Sequence, residues 1–225
     1  MSTDRMNDVL VVAAHPPELA GLTALLGESL RGEVGPLRVV TEAVGIGLVA
    51  AAAGTAMAIA THRPRCVVLV GTCGAYPRRG AALAIGDVIV ARRLHLASTA
   101  AVDTRGAFPA PMLVATETDD SLSRGLAEEK SRRADIATTL AITTDDDLAN
   151  LVGDKLSCET EHLEAFAVAT ACARAEVPFA AALGVANRVG TSARQEWLRH
   201  HLDAGRAATD VVAAWIRRGA PGVTS

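Results

Sequence analysis

Aromatic side chains are scarce in this 225-residue chain: two Trp, one Tyr and three Phe make up 3% of it. Its core must therefore be assembled from Ala, Val, Leu and Ile rather than from stacked rings. Cysteine is sparse as well. Cys66, Cys73, Cys158 and Cys172 contain no CxxC spacing and are too few for a disulfide scaffold, so reduced thiols and a cytoplasmic location are expected. Neither sign of charge dominates: 22 Lys and Arg against 25 Asp and Glu give a formal −3, which offers a nucleic acid no electrostatic footing. Long apolar runs are also missing. The first, residues 9–14, is too short for a signal-peptide core or a membrane span, and no membrane partner is expected. No GxGxxG follows a strand, and GxxxxGK[ST], HExxH and GxSxG do not occur. The six histidines form no ligand cluster, because His200 and His201 are adjacent on a probable helix and face different directions. Neither a metal nor a cofactor is expected.

What is present is a well-patterned globular chain, 50% hydrophobic and 21% charged, which argues against disorder. Short apolar runs predict strands at residues 9–14, 37–40, 66–70, 85–90, 136–143 and 179–186. Helical patterns predict helices at 18–30, opened by Pro16-Pro17, and at 48–61, 121–132, 161–175 and 193–218, the last closed by Gly219-Ala220-Pro221-Gly222. Residues 97–111, with Gly106, Pro109 and Pro111, read as a loop bordering a site. Strands alternating with helices and no linker imply one α/β domain of three layers over residues 1–225.

Chemistry is expected where buried strands end, the usual place for a site in an open α/β sheet. Glu18 follows the first strand and Gly71-Thr72-Cys73-Gly74 follows the third. Glu161 and Glu164 open a helix, and Asn187 ends the strand 179–186. Gly45-Ile46-Gly47 reads as a tight backbone bend rather than a phosphate cradle, and Asp145-Asp146-Asp147 as a solvated turn rather than a metal box.

The order Ala14-His15-Pro16-Pro17-Glu18-Leu19, Gly45-Ile46-Gly47, Gly71-Thr72-Cys73-Gly74 with Ile85-Gly86-Asp87-Val88, His162-Leu163-Glu164-Ala165 and Val177-Pro178-Phe179 resembles the nucleoside phosphorylase and nucleosidase superfamily over nearly the whole chain. Within it, Glu164-Ala165-Phe166-Ala167 preceded by Glu161, and Asn187-Arg188-Val189-Gly190 followed by Arg194 and Trp197, are similar to futalosine hydrolase. Three positions depart from the family pattern: Leu163 replaces a Met, the bulky Phe166 a small residue, and Leu183 an Arg. The resemblance implies an αβα sandwich with a central mixed sheet, a homo-oligomer, and a small-molecule nucleoside as substrate.

Residue by residue, the resemblance makes Glu164 the acceptor for the ribose 2′ and 3′ hydroxyls, a role suited to an acceptor-only carboxylate, although a helix-opening glutamate is the plain alternative. Glu18 corresponds to the group that orients or deprotonates water, again against a plain helix-start reading. Thr72, beside Gly74, is placed against the sugar or the water, and His162 and Leu163 flank Glu164. Asn187 stands at the base-recognition position, where an amide suits a 6-oxopurine. Leu148 falls near the place where relatives stack an aromatic on the base, and Arg194 and Trp197 suit a carboxylated extension, Trp197 equally suiting packing. Leu69 stands where the family's phosphorylases place an arginine, which favours water over phosphate as nucleophile. The expected activity is hydrolysis of a purine nucleoside's N-glycosidic bond. The alternatives are a phosphorylase using Arg92 or Arg93, and a nucleoside-binding protein without turnover.

Overall fold

The computed structural model describes residues 7–127 and 131–223. In chain order its elements are β1 (Val9–Ala13), a 3-10 helix (Pro16–Leu22), α1 (Thr23–Leu26), β2 (Arg31–Val34), β3 (Leu37–Ala43), α2 (Leu48–His62), β4 (Cys66–Ala75), β5 (Val88–Leu96), α3 (Thr99–Val102), β6 (Ala115–Glu117), α4 (Asp120–Leu126), β7 (Arg132–Thr138), α5 (Asp146–Leu156), β8 (Thr160–His162), α6 (Ala165–Arg174), β9 (Phe179–Arg188) and α7 (Ala193–Arg217).

The sheet is mixed and runs β2-β3-β1-β4-β8-β7-β5-β6, with β9 paired to both β4 and β5. Strands β4, β9, β5, β7 and β8 therefore close on one another in a ring. The apolar run of β1 is buried at every position because it lies between two parallel neighbours, β3 and β4, and a parallel strand covered on both faces needs no polar alternation. Helices cover both faces. One core cluster joins Leu10, Val12, Leu69 and Leu183 to Ala51, Ile59, Phe166 and Val168 of α2 and α6. The other joins Val9, Val11, Val68 and Val70 to Leu19 and Leu22 of the 3-10 helix and Val212, Trp215 and Ile216 of α7. A smaller cluster gathers Tyr76, Ala149, Val152 and Val189 beside α5. This is the expected arrangement of helices around a central mixed sheet. Among the described residues no helix is long and apolar enough to cross a membrane.

Several local expectations are corrected. The helix over 18–30 is a 3-10 helix followed by one α turn, stopped at Gly27 by a φ of +73°. Gly71-Thr72-Cys73-Gly74 is not a turn after the third strand but part of β4, held extended by pairing to β9 across its length. Glu161 lies in β8, and Glu164 is the N-cap of α6 rather than a residue within a helix. The helix expected over 121–132 ends at Leu126, with residues 128–130 of that range outside the described residues, and Arg132 already belongs to β7. The strand expected at 136–143 ends at Thr138, and helix α5 was not anticipated. Residues 97–111 carry the short α3.

Candidate active site

The 3-10 helix bends the chain straight after β1 and turns Glu18 back over Pro16 and Pro17. Its Oε2 accepts from the N–H groups of Ala14 (3.1 Å) and His15 (3.4 Å) and lies 3.2 Å from His15 Nδ1. This is the back-reach of a capping box, and it fixes the carboxylate against the end of β1. The other oxygen faces β4: an added Cβ on Gly71 would sit 3.0 Å from Glu18 Oε1. Glycine at 71 is thus what lets the carboxylate lie against the strand.

Glu164 is 4% exposed at the start of α6. Its Oε1 accepts from Gly47 N–H at 2.7 Å. Gly47 holds a φ of +84°, a conformation natural to glycine, so the bend at 45–47 also supplies a donor to the site. His162 Nδ1 accepts from the N–H groups of Glu164 and Ala165, both at 3.0 Å, and so caps the helix. A nitrogen that accepts two N–H groups carries no proton, so the 3.3 Å approach of Glu164 Oε2 to it is a proximity rather than an ion pair.

Asn187 owes its place to a β-bulge. The β4–β9 register shifts between Cys73 and Gly74, so that Val185 pairs with Cys73 but Asn187 pairs with Gly74. Its Nδ2 donates to Arg188 O at 2.8 Å, and a Cβ on Gly74 would come within 2.8 Å of that nitrogen. Thr72 Oγ1 accepts from Trp197 Nε1–H at 3.1 Å, and the indole stacks on His201 with centroids 4.1 Å apart.

These groups share one cavity of about 390 Å³. Its wall carries Glu18, Thr72, Gly74, His162, Leu163, Glu164, Asn187, Arg194 and Trp197, nine of the residues singled out from sequence. The volume is that of a small-molecule site. Leu148 is the exception and is corrected: it sits in the first turn of α5 with its N–H held by Asp145 and packs beside the Tyr76 cluster. The apolar contacts come instead from Ile46, Ile142 and Leu198, which sequence reasoning missed. Ile142 carried one usable signal, the short apolar triplet Leu140-Ala141-Ile142 set between the threonine pairs Thr138-Thr139 and Thr143-Thr144. A second cavity of about 530 Å³ shares His15, Glu18, Thr72 and Trp197 but lacks Glu164 and Asn187.

Three glutamates, Glu18, Glu161 and Glu164, line the cavity, whereas arginine is sparse there. Arg194 is on its wall. Arg92, by contrast, forms a bidentate pair with Asp135 (2.7 and 2.9 Å), and Arg93 faces Glu117, so neither arginine of the phosphorylase alternative lines the cavity. Burial pushes the Cys73 thiol up, which keeps this wall residue protonated and poorly nucleophilic. Asp145 caps α5 and Asp146 accepts from Thr191 N–H, and no cluster of three or more His, Cys, Asp or Glu among the described residues is arranged to hold a metal ion.

Comparison with known proteins matches residues 11–218 to the profile of the family described as the phosphorylase superfamily. No curated protein sequence matches the chain. Among solved structures, the 5′-methylthioadenosine/S-adenosylhomocysteine nucleosidase of Helicobacter pylori superposes with a TM-score of 0.84 at 16% identity, covering 95% of this chain and 99% of that one. A futalosine hydrolase mutant from the same species gives 0.84 at 16% identity, covering 95% and 100%. The nucleosidase of Neisseria meningitidis gives 0.83 at 19%, covering 95% and 100%. At these identities the likeness is one of fold.

Proposed function

The chain belongs to the phosphorylase superfamily, and on that premise we propose that it is an N-ribosyl hydrolase of purine nucleosides, with a 6-oxopurine nucleoside of the futalosine type as substrate. One observation carries the reading: Glu18 and Glu164, far apart in sequence, line a single nucleoside-sized cavity together with Asn187.

Cleavage of an N-glycosidic bond passes through an oxocarbenium-like sugar, so a site must hold the ribose, accept a proton from water and help the base depart. Glu164 serves the first need. With Oε1 fixed by Gly47 N–H, the carboxylate is oriented to accept from the 2′ and 3′ hydroxyls and to oppose the positive charge growing on the ring. Glu18 serves the second. Its Oε2 is held by backbone donors, so Oε1 receives the proton as the water oxygen bonds to C1′. The C1′–N9 electron pair leaves with the base, which takes up a proton from solvent at N7.

Asn187 bears on base choice. One of its two N–H groups is committed to Arg188 O, leaving one donor and one acceptor. That pair matches O6 and a protonated N7 of a departing 6-oxopurine, a form that exists only as the bond breaks. With a 6-aminopurine the same pair matches the exocyclic amine and a bare N7, which is the ground state, and an interaction made equally before reaction does not accelerate it. Arg194 on the wall and Trp197 beside it suit a carboxylated 5′ extension.

The test is release of free base from inosine, adenosine, methylthioadenosine and futalosine, each with and without inorganic phosphate. Base release from the 6-oxo substrates in phosphate-free buffer is expected. Strict dependence on phosphate would overturn hydrolysis, and tight binding with no release would favour a protein that only binds nucleosides.

A further inference from the structure

The larger of the two cavities has no part in the chemistry above. It holds about 530 Å³ and shares His15, Glu18, Thr72 and Trp197 with the nucleoside cavity, so the two meet at those residues. Small residues keep it open. The 3-10 helix touches α7 where Gly21 lies so close to Thr209 that a Cβ on the glycine would collide with the threonine hydroxyl. One turn nearer the active site, a Cβ on Gly205 would find only Thr72 Cγ2, at 3.7 Å. Ala20 and Ala24 line the facing side. The result is a groove closed at Thr209 and open towards Trp197.

Its two ends differ in chemistry. Trp197, His201 and Gly205 are spaced four apart and present one face of α7 to the groove. His201 Nδ1 donates to Trp197 O at 2.9 Å and the imidazole stacks on the indole, which makes a flat wall. Pro17 and Leu202 add apolar surface. The one acid lining the groove among the described residues, Glu18, is at the near end and tied to the backbone of Ala14 and His15. At the far end stands Arg206, exposed, and among the described residues its guanidinium has no carboxylate partner. Nine residues of helix put Arg206 roughly 13 Å beyond Trp197 along the axis, and long helical side chains lean back towards the N-terminus, which shortens the span to be bridged.

Resting on the nucleoside reading above, we propose that the substrate carries a long 5′ substituent that leaves the sugar between His15 and Trp197, lies in the groove as an apolar chain or ring, and ends in a carboxylate held by Arg206. The 5′ carbon is the part of the nucleoside left to exit this way: the hydroxyls face Glu164 and the base faces Asn187, and the groove contains neither residue. A hydroxymethyl or methylthio group is too short to reach the cation. The competing reader of an anion is Arg194, on the wall of the nucleoside cavity itself and on the other side of Trp197 along α7, where it suits a short acid.

The test compares inosine with 5′-O-(4-carboxybenzyl)inosine, the methyl ester of that acid, and the shorter 5′-O-carboxymethylinosine. In the unaltered protein the long acid should exceed its ester in kcat/KM by about 5- to 20-fold, the worth of a charged hydrogen bond reduced by solvent at an exposed site, and the ratio should shrink at high salt. Equal rates for acid and ester would overturn the proposal, as would a short acid preferred over the long one. Arg206→Leu should bring the acid to ester ratio to about one while Arg194→Leu keeps it, and the opposite pattern would place the anion at Arg194 and refute the assignment. Gly205→Leu fills the groove and should lower kcat/KM for the long acid and its ester together relative to inosine, whereas unchanged relative rates would show that the chain lies elsewhere. If no nucleoside releases base, the hydrolase reading fails separately, and calorimetric affinities of the long acid and its ester for the unaltered protein and for Arg206→Leu still decide the proposal by the same ratio.

Discussion

Gly74→Ala is the sharpest probe of the base slot, because its geometry is explicit. The new Cβ would stand 2.8 Å from Asn187 Nδ2 and 2.8 Å from Val189 Cγ2, about 0.6 Å inside the 3.4 Å at which ordinary contact begins. Val189 is 2% exposed and locked in the cluster with Tyr76, so it yields little. Asn187 is held by a single bond to Arg188 O and must give way. Overpacking of this kind costs about 1–3 kcal/mol. Where the displaced group is the one that meets the leaving base, the cost appears in the transition state, and at about 1.4 kcal/mol per tenfold kcat/KM should fall by roughly 5- to 150-fold. Steady-state base release from inosine measures the effect, with thermal unfolding to confirm the variant folds. Gly205→Ala is the control: its Cβ would lie 3.7 Å from Thr72 Cγ2, an ordinary contact, and alanine favours a helix by up to about 1 kcal/mol, so activity should hold and stability rise. A folded Gly74→Ala protein with unchanged kcat/KM and unchanged base preference would show that Asn187 does not touch the base.

Glu18→Gln should lower kcat by about 10²- to 10⁴-fold, the usual worth of a general base, while equilibrium binding of inosine changes little; a normal single-turnover rate would remove Glu18 from the mechanism. Asn187→Asp should move preference from 6-oxo toward 6-amino purines, and an unchanged inosine to adenosine ratio would refute the base assignment. Helix α2 exposes Val49 (82%) and Met57 (71%), with Ile46 beside it on the cavity wall, an apolar face suited to a second copy of the chain. Light scattering should find a homo-oligomer that Met57→Glu dissociates, and a wild-type monomer at micromolar concentration would count against that use of the face. The Glu196 carboxyl is raised by desolvation, but bonds from Arg188 N–H and Ser192 Oγ, helped by the charges of Arg188 and His200, outweigh this and hold it below the ordinary range. A lowered folded-state value gives stability that is fully present above the unfolded carboxylate value and disappears as pH falls through the lowered one. Glu196→Gln should therefore flatten that part of the acid unfolding curve, and an identical curve would refute the linkage.

The parts of the fold legible in the sequence are those where one local pattern determines the element. The β1 run, the alanine-rich α2 and the long α7 have a clear period, and each was placed to within a residue or two. Errors arise where a tertiary partner overrides the local preference. Two glycines make residues 71–74 read as a turn, yet β9 pairs along the whole segment and keeps it extended. Glu161 reads as the first turn of a helix, but His162 takes the N–H groups of Glu164 and Ala165 and so starts α6 four residues later, at Ala165. Helix α5 did leave a trace, since Asp145 before two further acids is an N-cap with a favourable first turn.

The site divides along the same line. Glu18 and Glu164 were legible because each sits where a strand gives way to a helix. Ile142 rather than Leu148 lines the cavity, because β7 ends at Thr138 and the loop beyond it, tied to Glu161 and to Gly190 through Thr143, reaches the cavity before α5 begins. No periodicity can express that, since the loop's path depends on strands β8 and β9, which follow it in sequence. The row Glu161, Gly74 and Asn187 is a product of register for the same reason. Its middle member matters through the side chain it lacks, and its outer members flank it only because a bulge in β9 moves Asn187 opposite Gly74. Closing that bulge by one residue would move Ala186 into the pairing position and turn the amide to the opposite face, since successive strand residues alternate sides. The identity of the residue set opposite Gly74 on the cavity wall is therefore held in the backbone irregularity as much as in the asparagine itself.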